Sequence, residues 1–524
     1  MRSLCFYFQV HQPFRLRTFR FFDIGADSNY YDEYQNRFII RRIAEKCYLP
    51  ANQLLLSLIR RYNGAFRVSF SISGTALDQF QKYAPEVISS FRELASTGCV
   101  EFLAETYGHS IAGLKNRDEF HRQVQLHMQK TEELFGLRPT SFRNTELIYS
   151  DEIGEWVAAM GFQSMLAEGA KHVLGWRSPN YLYYNANNPK LSVLLRNFRM
   201  SDDIGFRFSN KSWPEWPLTT DKYINWLNTF DEKQQLVNVF LDYETFGEHQ
   251  WKETGIFDFL AGLPEAVFSS SNYQFHTPSQ IASLYQPVAP IHVPYPSSWA
   301  DEERDVTAWL GNELQEEAAS SLYGLTQKVY HCDDPSIWSD WMYLQTSDHF
   351  YYMCTKWFSD GEVHKYFNPY PSPYEAYINY MNVLSDFVIR VNQNSAGKET
   401  YKGWPSVSSV LEFESVPRAM AQISAGKPGK KPKKPASAPD WNVFLNKVRN
   451  ASRSRLKNAL KMCSNETLAL LHGLDNEEWN SIVSDLIPHK RIKELENLRK
   501  KFRKPAKSSI TQAFSEFIDM ITSR

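Results

Sequence analysis

Residues 236–249 read LVNVFL followed at once by DYETFGEH. The first six, Leu236–Leu241, are almost wholly apolar, as in a strand covered on both faces within a parallel sheet. The next eight carry Asp242, Glu244, Glu248 and His249. Charge so close to a core is unfavourable unless it is paired or used. The plain alternative is a set of solvated charges on a loop. Side chains alternate along an extended segment, so Asp242 and Glu244 share one face.

The same sequence of events, an apolar strand and then polar residues, recurs upstream. Leu4–Val10, Phe66–Ser73, Val100–Ala104, Ser141–Thr145 and Phe162–Ala167 read as strands. Thr75–Leu94 and Asn116–Phe135 carry helical spacing between them. Alternating strands and helices predict a mostly parallel sheet covered by helices. This many units in 1–300 suits a barrel better than an open nucleotide-binding sheet. No G-x-G-x-x-G follows any of the strands, and no phosphate-binding G-x-x-x-x-G-K-[ST] is present.

Beyond Ala300 the pattern turns helical. Asp301–Lys328 reads as one long helix with Trp309 and Leu310 inward, and Ser339–Phe358 and Tyr374–Asn392 as two more. Residues 301–395 are therefore expected as a helical bundle against a catalytic domain of 1–300. Residues 426–439 (GKPGKKPKKPASAP) form a Lys/Pro linker, and 440–524 a small helical basic extension. Residues 427–524 hold 21 Lys and Arg against 10 Asp and Glu, although the 524-residue chain has a net charge of −1. Clustered basic residues admit a nucleic-acid partner. A solubilising linker with a helical extension is the preferred reading, so nucleic acid is not expected.

The six cysteines are irregularly spaced and form no C-x-x-C, which argues against a disulfide framework or a zinc site. Leu4–Val10 is followed by His11-Gln12-Pro13 and not by a small-residue cleavage site, and no apolar run is long enough to span a membrane. A cytoplasmic location, with no membrane partner, is expected. Aromatic residues make up 15% of the chain, which suits either a large core or flat sugar rings.

In a parallel barrel the reacting groups come from the C-terminal ends of the strands. Four stretches qualify: His11-Gln12-Pro13, Glu105–His109, Arg143–Leu147 and Asp242–His249. Glu146 beside Arg143 is either an ion pair or an ionised nucleophile. The set contains the two carboxylates that glycoside cleavage requires. Crowding of acids raises their pKa values and holds one protonated near neutral pH.

Five ordered motifs give these stretches a family. VHQP (10–13), EFLAETYGH (101–109), FRNTEL (142–147), DYETFG (242–247) and LQTSDHFYYM (344–353) together resemble glycoside hydrolase family 57, α-amylase type. The resemblance covers about the first 390 residues. It implies an α/β fold, an incomplete (β/α)7 barrel followed by a C-terminal helical bundle. It implies retaining, double-displacement chemistry on α-glucans such as starch, glycogen and maltodextrins, without metal or organic cofactor. Carried onto this chain, Glu146 is the nucleophile and Asp242 the general acid/base. His11, Gln12, Glu105, His109, Arg143, Glu244 and Asp348 are expected to line the sugar site, and Trp176, Trp213 and Trp251 to stack on sugars. The same motifs suit a 4-α-glucanotransferase or a branching enzyme, and a non-catalytic glucan-binding protein is a further alternative. A zinc enzyme on a similar barrel would need paired Asp and His ligands at the first strand end, where this chain has His-Gln-Pro.

Overall fold

The computed structural model describes residues 2–356 and 368–395. The proposed linker (426–439) and basic extension (440–524) lie outside them. Ten strands occur in the described residues: β1 (Arg2–Val10), β2 (Val68–Ile72), β3 (Val100–Phe102), β4 (Ser141–Arg143), β5 (Ser164–Glu168), β6 (Tyr183–Asn185), β7 (Ser192–Arg196), β8 (Leu236–Asp242), β9 (Tyr273–Phe275) and β10 (Pro290–Ile291).

Seven of them, β1, β2, β3, β4, β5, β7 and β8, run in one direction round a (β/α)7 barrel. β8, β1, β2 and β3 form one parallel ladder, and β4, β5 and β7 another. A single parallel bridge, Ala104 to Phe142, joins β3 to β4. Closure between β7 and β8 is thinner. Asn197 N–H donates to the Asn238 carbonyl at 2.9 Å, and the Asn238 side-chain amide donates to the Leu195 carbonyl at 2.9 Å. These few bonds replace a regular ladder, so the barrel is incomplete along that seam.

Strand alternation decides what enters the barrel. Along β1, Leu4, Phe6, Phe8 and Val10 join the outer core under the helices, while Cys5 and Tyr7 join the inner core with Leu103, Leu166, Leu194 and Phe240. Continuing the inner parity brings Gln9 and His11, Glu105, Arg143, Glu168, Arg196 and Asp242 to the C-terminal rim. Apolar side chains fill the lower barrel and polar ones crown it.

The six predicted strands are all present with ends shifted by a few residues, but β6, β7, β9 and β10 lie outside the expectation. The expected helix Thr75–Leu94 is two, Gly74–Tyr83 and Pro85–Ser96, because Ala84 takes an extended φ of −149° before Pro85. The single helix expected over Asp301–Lys328 is instead Thr307–Leu310, Glu313–Tyr323 and Thr326–Val329. Asn312 restarts the chain there by capping Gln315 N–H, with the Gln315 side chain returning to the Asn312 N–H. Ser339–Phe358 resolves into Pro335–Leu344 and Ser347–Tyr351, with Phe358 outside the described residues. Tyr374–Asn392 lies within Pro373–Ser395. Trp309, Trp341 and Val383 from these helices share one core with Phe142 and Val193 of the barrel. No helix among the described residues is long and apolar enough to cross a membrane.

Candidate active site

A cavity of about 610 Å³, counting its open mouth, lies at the rim of the barrel. His11, Gln12, His109, Glu146, Asp242, Glu244 and Asp348 all line it, with Gln9, Arg15, His249, Trp299 and Tyr352. Residues 337 positions apart meet in it: His11 Nε2 lies 2.9 Å from Asp348 Oδ2, while His11 Nδ1 lies 2.7 Å from Ser73 Oγ.

Glu146 follows β4 in a short turn, Thr145–Leu147. Its backbone is left-handed (φ 54°), as is that of Leu147 (φ 52°). Side chains with a Cβ rarely adopt this region, and the strain is on the order of 1–3 kcal/mol for each. The turn aims the carboxyl group of a side chain that is only 8% exposed, and both its oxygens are held. Oε1 is 3.2 Å from His109 Nε2, and Oε2 accepts from Trp299 Nε1–H at 2.7 Å.

His109, itself left-handed (φ 49°), stands between two acids, with Nδ1 2.7 Å from Glu105 Oε2. Burial alone would lower its pKa. Hydrogen bonds and charges from Glu105 and Glu146 outweigh burial and raise it to about 9, so it is a cation at neutral pH. Glu105 titrates at about 2: burial opposes its ionisation, and His109, His127 and Arg143 overcome it. His11 stacks on His109 with ring centroids 3.9 Å apart. Its own pKa is lowered by burial and then by the His109 charge, against the pull of Asp348. A neutral ring therefore faces a charged one.

At the end of β8 the environment is different. Glu244 is pushed up to about 8, by burial first and by the Asp242 charge second, although Tyr48 and Gln12 hydrogen-bond it. Its carboxyl group keeps a proton at neutral pH.

Some expected residues are elsewhere. Glu105 reaches the site only through His109 and Gln9, whose side-chain amide donates to it at 3.2 Å. Arg143 is fully buried, does not line the cavity and makes no side-chain hydrogen bond. Its guanidinium lies over the Trp299 ring, 4.9 Å from the centroid. Trp176 is 95% exposed and Trp251 60% exposed; Trp213 packs against the outer core and Trp226. None of the three lines the cavity.

Sequence reading passed over Gln9, Arg15, Trp299 and Tyr352. Gln9 carried a signal: a polar residue in an apolar strand, on the same face as His11. Trp299 carried none, because it meets Glu146 across 153 positions through an irregular segment.

A parallel barrel crowned by convergent carboxylates and histidines, above an apolar interior, has the architecture of a barrel enzyme with its site at the strand ends. The chain belongs to glycosyl hydrolase family 57, whose model matches residues 5–294. A Methanocaldococcus jannaschii protein named "Putative alpha-amylase" is 40% identical over 414 residues, covering 76% of this chain and 86% of the relative. Among solved structures, a family 57 branching enzyme from Thermococcus kodakaraensis aligns with TM-score 0.54 and 14% identity, over 79% of this chain and 94% of that one. The 4-alpha-glucanotransferase from Thermococcus litoralis aligns with TM-score 0.50 and 15% identity, over 67% of this chain. This chain spans 56% of the length of that transferase. At these identities the structural likeness concerns the barrel fold alone.

Proposed function

We propose that this glycoside hydrolase cleaves α-1,4-glucosidic bonds of starch, glycogen or maltodextrins with retention of configuration. Glu146 is the nucleophile and Asp242 the general acid/base. The observation that carries the reading is the state of Glu146: a strained, nearly buried carboxylate in the cavity, between an imidazolium and an indole N–H. Such donors keep a carboxylate ionised and oriented, as attack on a sugar carbon requires.

In the first step a Glu146 oxygen bonds to the anomeric carbon while Asp242 gives its proton to the departing glycosidic oxygen. In the second, Asp242 takes a proton from water, whose oxygen displaces Glu146. Retaining chemistry of this kind works with carboxyl groups about 5–5.5 Å apart. The cytoplasm is the proposed location, and the five described cysteines, Cys5, Cys47, Cys99, Cys332 and Cys354, carry free thiols.

Incubation of wild type and Glu146→Gln with maltoheptaose, following reducing ends and the product ladder together, tests the reading. New reducing ends and short maltodextrins from wild type alone support it. A ladder of longer and shorter products without new reducing ends assigns transfer to another glucan in place of hydrolysis. Unchanged substrate with wild type overturns it.

A further inference from the structure

Trp299 belongs to the irregular segment after β10, far from the five motifs in sequence. It contacts Glu146 twice: the indole N–H donates to Oε2 at 2.7 Å, and the backbone N–H donates to the Glu146 carbonyl at 3.2 Å. Two buried guanidinium groups lie over its ring, Arg143 at 4.9 Å and Arg196 at 5.6 Å from the centroid. Cations over an indole are attracted to its π-system and hold the ring in place.

The segment is tied from behind. The Arg304 guanidinium donates to the Trp299 carbonyl and lies 3.8 Å from Asp202, which in turn pairs with Arg196 at 2.5 Å. Ser298 N–H donates to the Arg304 carbonyl at 3.0 Å, and Lys356 Nζ reaches Asp301 at 3.2 Å. Asp301 (φ 51°) and Arg304 (φ 52°) are both left-handed. Strained backbone of this kind persists only where its surroundings over-determine it. Here the surroundings serve to deliver one N–H group to one carboxyl oxygen.

We infer that Trp299 is a positioning residue for the glycosidic reaction: its indole N–H anchors Glu146 Oε2, so that the carboxylate is fixed while it attacks the anomeric carbon. The inference rests on Glu146 being the nucleophile. The two donors on Glu146 differ in kind. The His109 donor at Nε2 titrates, whereas an indole N–H donates at every working pH. Trp299 therefore sets the part of the Glu146 environment that does not change with pH.

The test is the pH profile of kcat/KM on maltoheptaose for wild type, Trp299→Phe and Glu146→Gln, with KM and thermal midpoints measured alongside. Phenylalanine keeps an aromatic ring for the arginines and removes the N–H. Trp299→Phe is expected to lower kcat about 10- to 100-fold, the scale of a hydrogen bond to a charged group. KM should stay within about twofold, since binding groups elsewhere are untouched. The acidic limb should move to higher pH, because a carboxylate that loses a donor is protonated more readily. If Trp299→Phe lowers the thermal midpoint or kcat and leaves the limb in place, Trp299 only packs and the inference is overturned. If the phenylalanine variant does not fold, benzothienylalanine incorporated at 299 keeps the bicyclic shape without an N–H and is subject to the same readings. Glu146→Gln separates the two levels. Wild-type activity in that variant removes the nucleophile reading itself, while an inactive Glu146→Gln with an unmoved limb in Trp299→Phe removes only the role of Trp299.

Discussion

At the ends of β3 and β4, Glu105 and Glu146 share the imidazole of His109, whereas at the end of β8 Glu244 meets Tyr48, Gln12 and the neighbouring Asp242. Both walls are buried, and burial alone disfavours charge in both. On the first wall a cation and N–H donors reverse the penalty, holding Glu105 near 2 and His109 near 9. On the second a like charge adds to it and takes Glu244 to about 8. The difference shows how one cavity, built from the rims of parallel strands, favours an anion on one side and a proton on the other.

Four variants break or sharpen the contrast. Glu146→Gln removes the anion of the first wall and is expected to reduce kcat on the order of 10⁴-fold or more, measured on maltoheptaose. His109→Gln leaves Glu146 its Trp299 donor but no cation, with an expected loss of about 10- to 100-fold. The same variant bears on stability. The folded-state pKa of His109 lies above the ordinary 6.5, so its contribution is complete below 6.5 and is lost as pH rises through about 9. Thermal midpoints of wild type should fall across that window, and the fall should flatten in His109→Gln. Glu244→Gln tests the second wall. Its folded pKa is raised from 4.5, so the protonated form stabilises the fold below about 4.5, and this is lost as pH rises through about 8. The glutamine variant should lose that decline in thermal midpoint between about pH 4.5 and 8. Trp176→Ala, at an exposed position outside the cavity, should change kcat/KM on maltoheptaose by no more than about twofold. A larger loss would show that the sugar site extends beyond the cavity.

How far the sequence foretold this arrangement depended on whether a feature was local. The strand ends were legible because alternation and abrupt polarity are written within ten residues, as in Val237–Glu244. β7, Ser192–Arg196, was passed over although it is as long as β2 and β5. The helical segment beyond Ala300 was legible as helical but not as broken. There Gly311 and Asn312 outweigh the propensity on either side, as Pro85 does in the earlier helix. His109 was visible as a candidate, yet its charge was not, since that comes from Glu105 and Glu146 meeting at one ring. Arg143 was expected beside Glu146, but its guanidinium lies over an indole supplied from residue 299. Contacts of that sequence separation leave no trace in a local pattern.

The assignment of the two carboxylates is tested most directly by the stereochemistry of azide rescue. Glu146→Gly and Asp242→Ala would each be given α-maltosyl fluoride and sodium azide, and the anomer of the product read by NMR. With Glu146 as nucleophile, its glycine variant lets azide attack the face the carboxylate had occupied and yields the β-azide. With Asp242 as acid/base, its alanine variant still forms the glycosyl ester on Glu146, and azide displaces it to give the α-azide. The reverse pair of products, or wild-type hydrolysis by the glycine variant, would contradict the roles of Glu146 and Asp242.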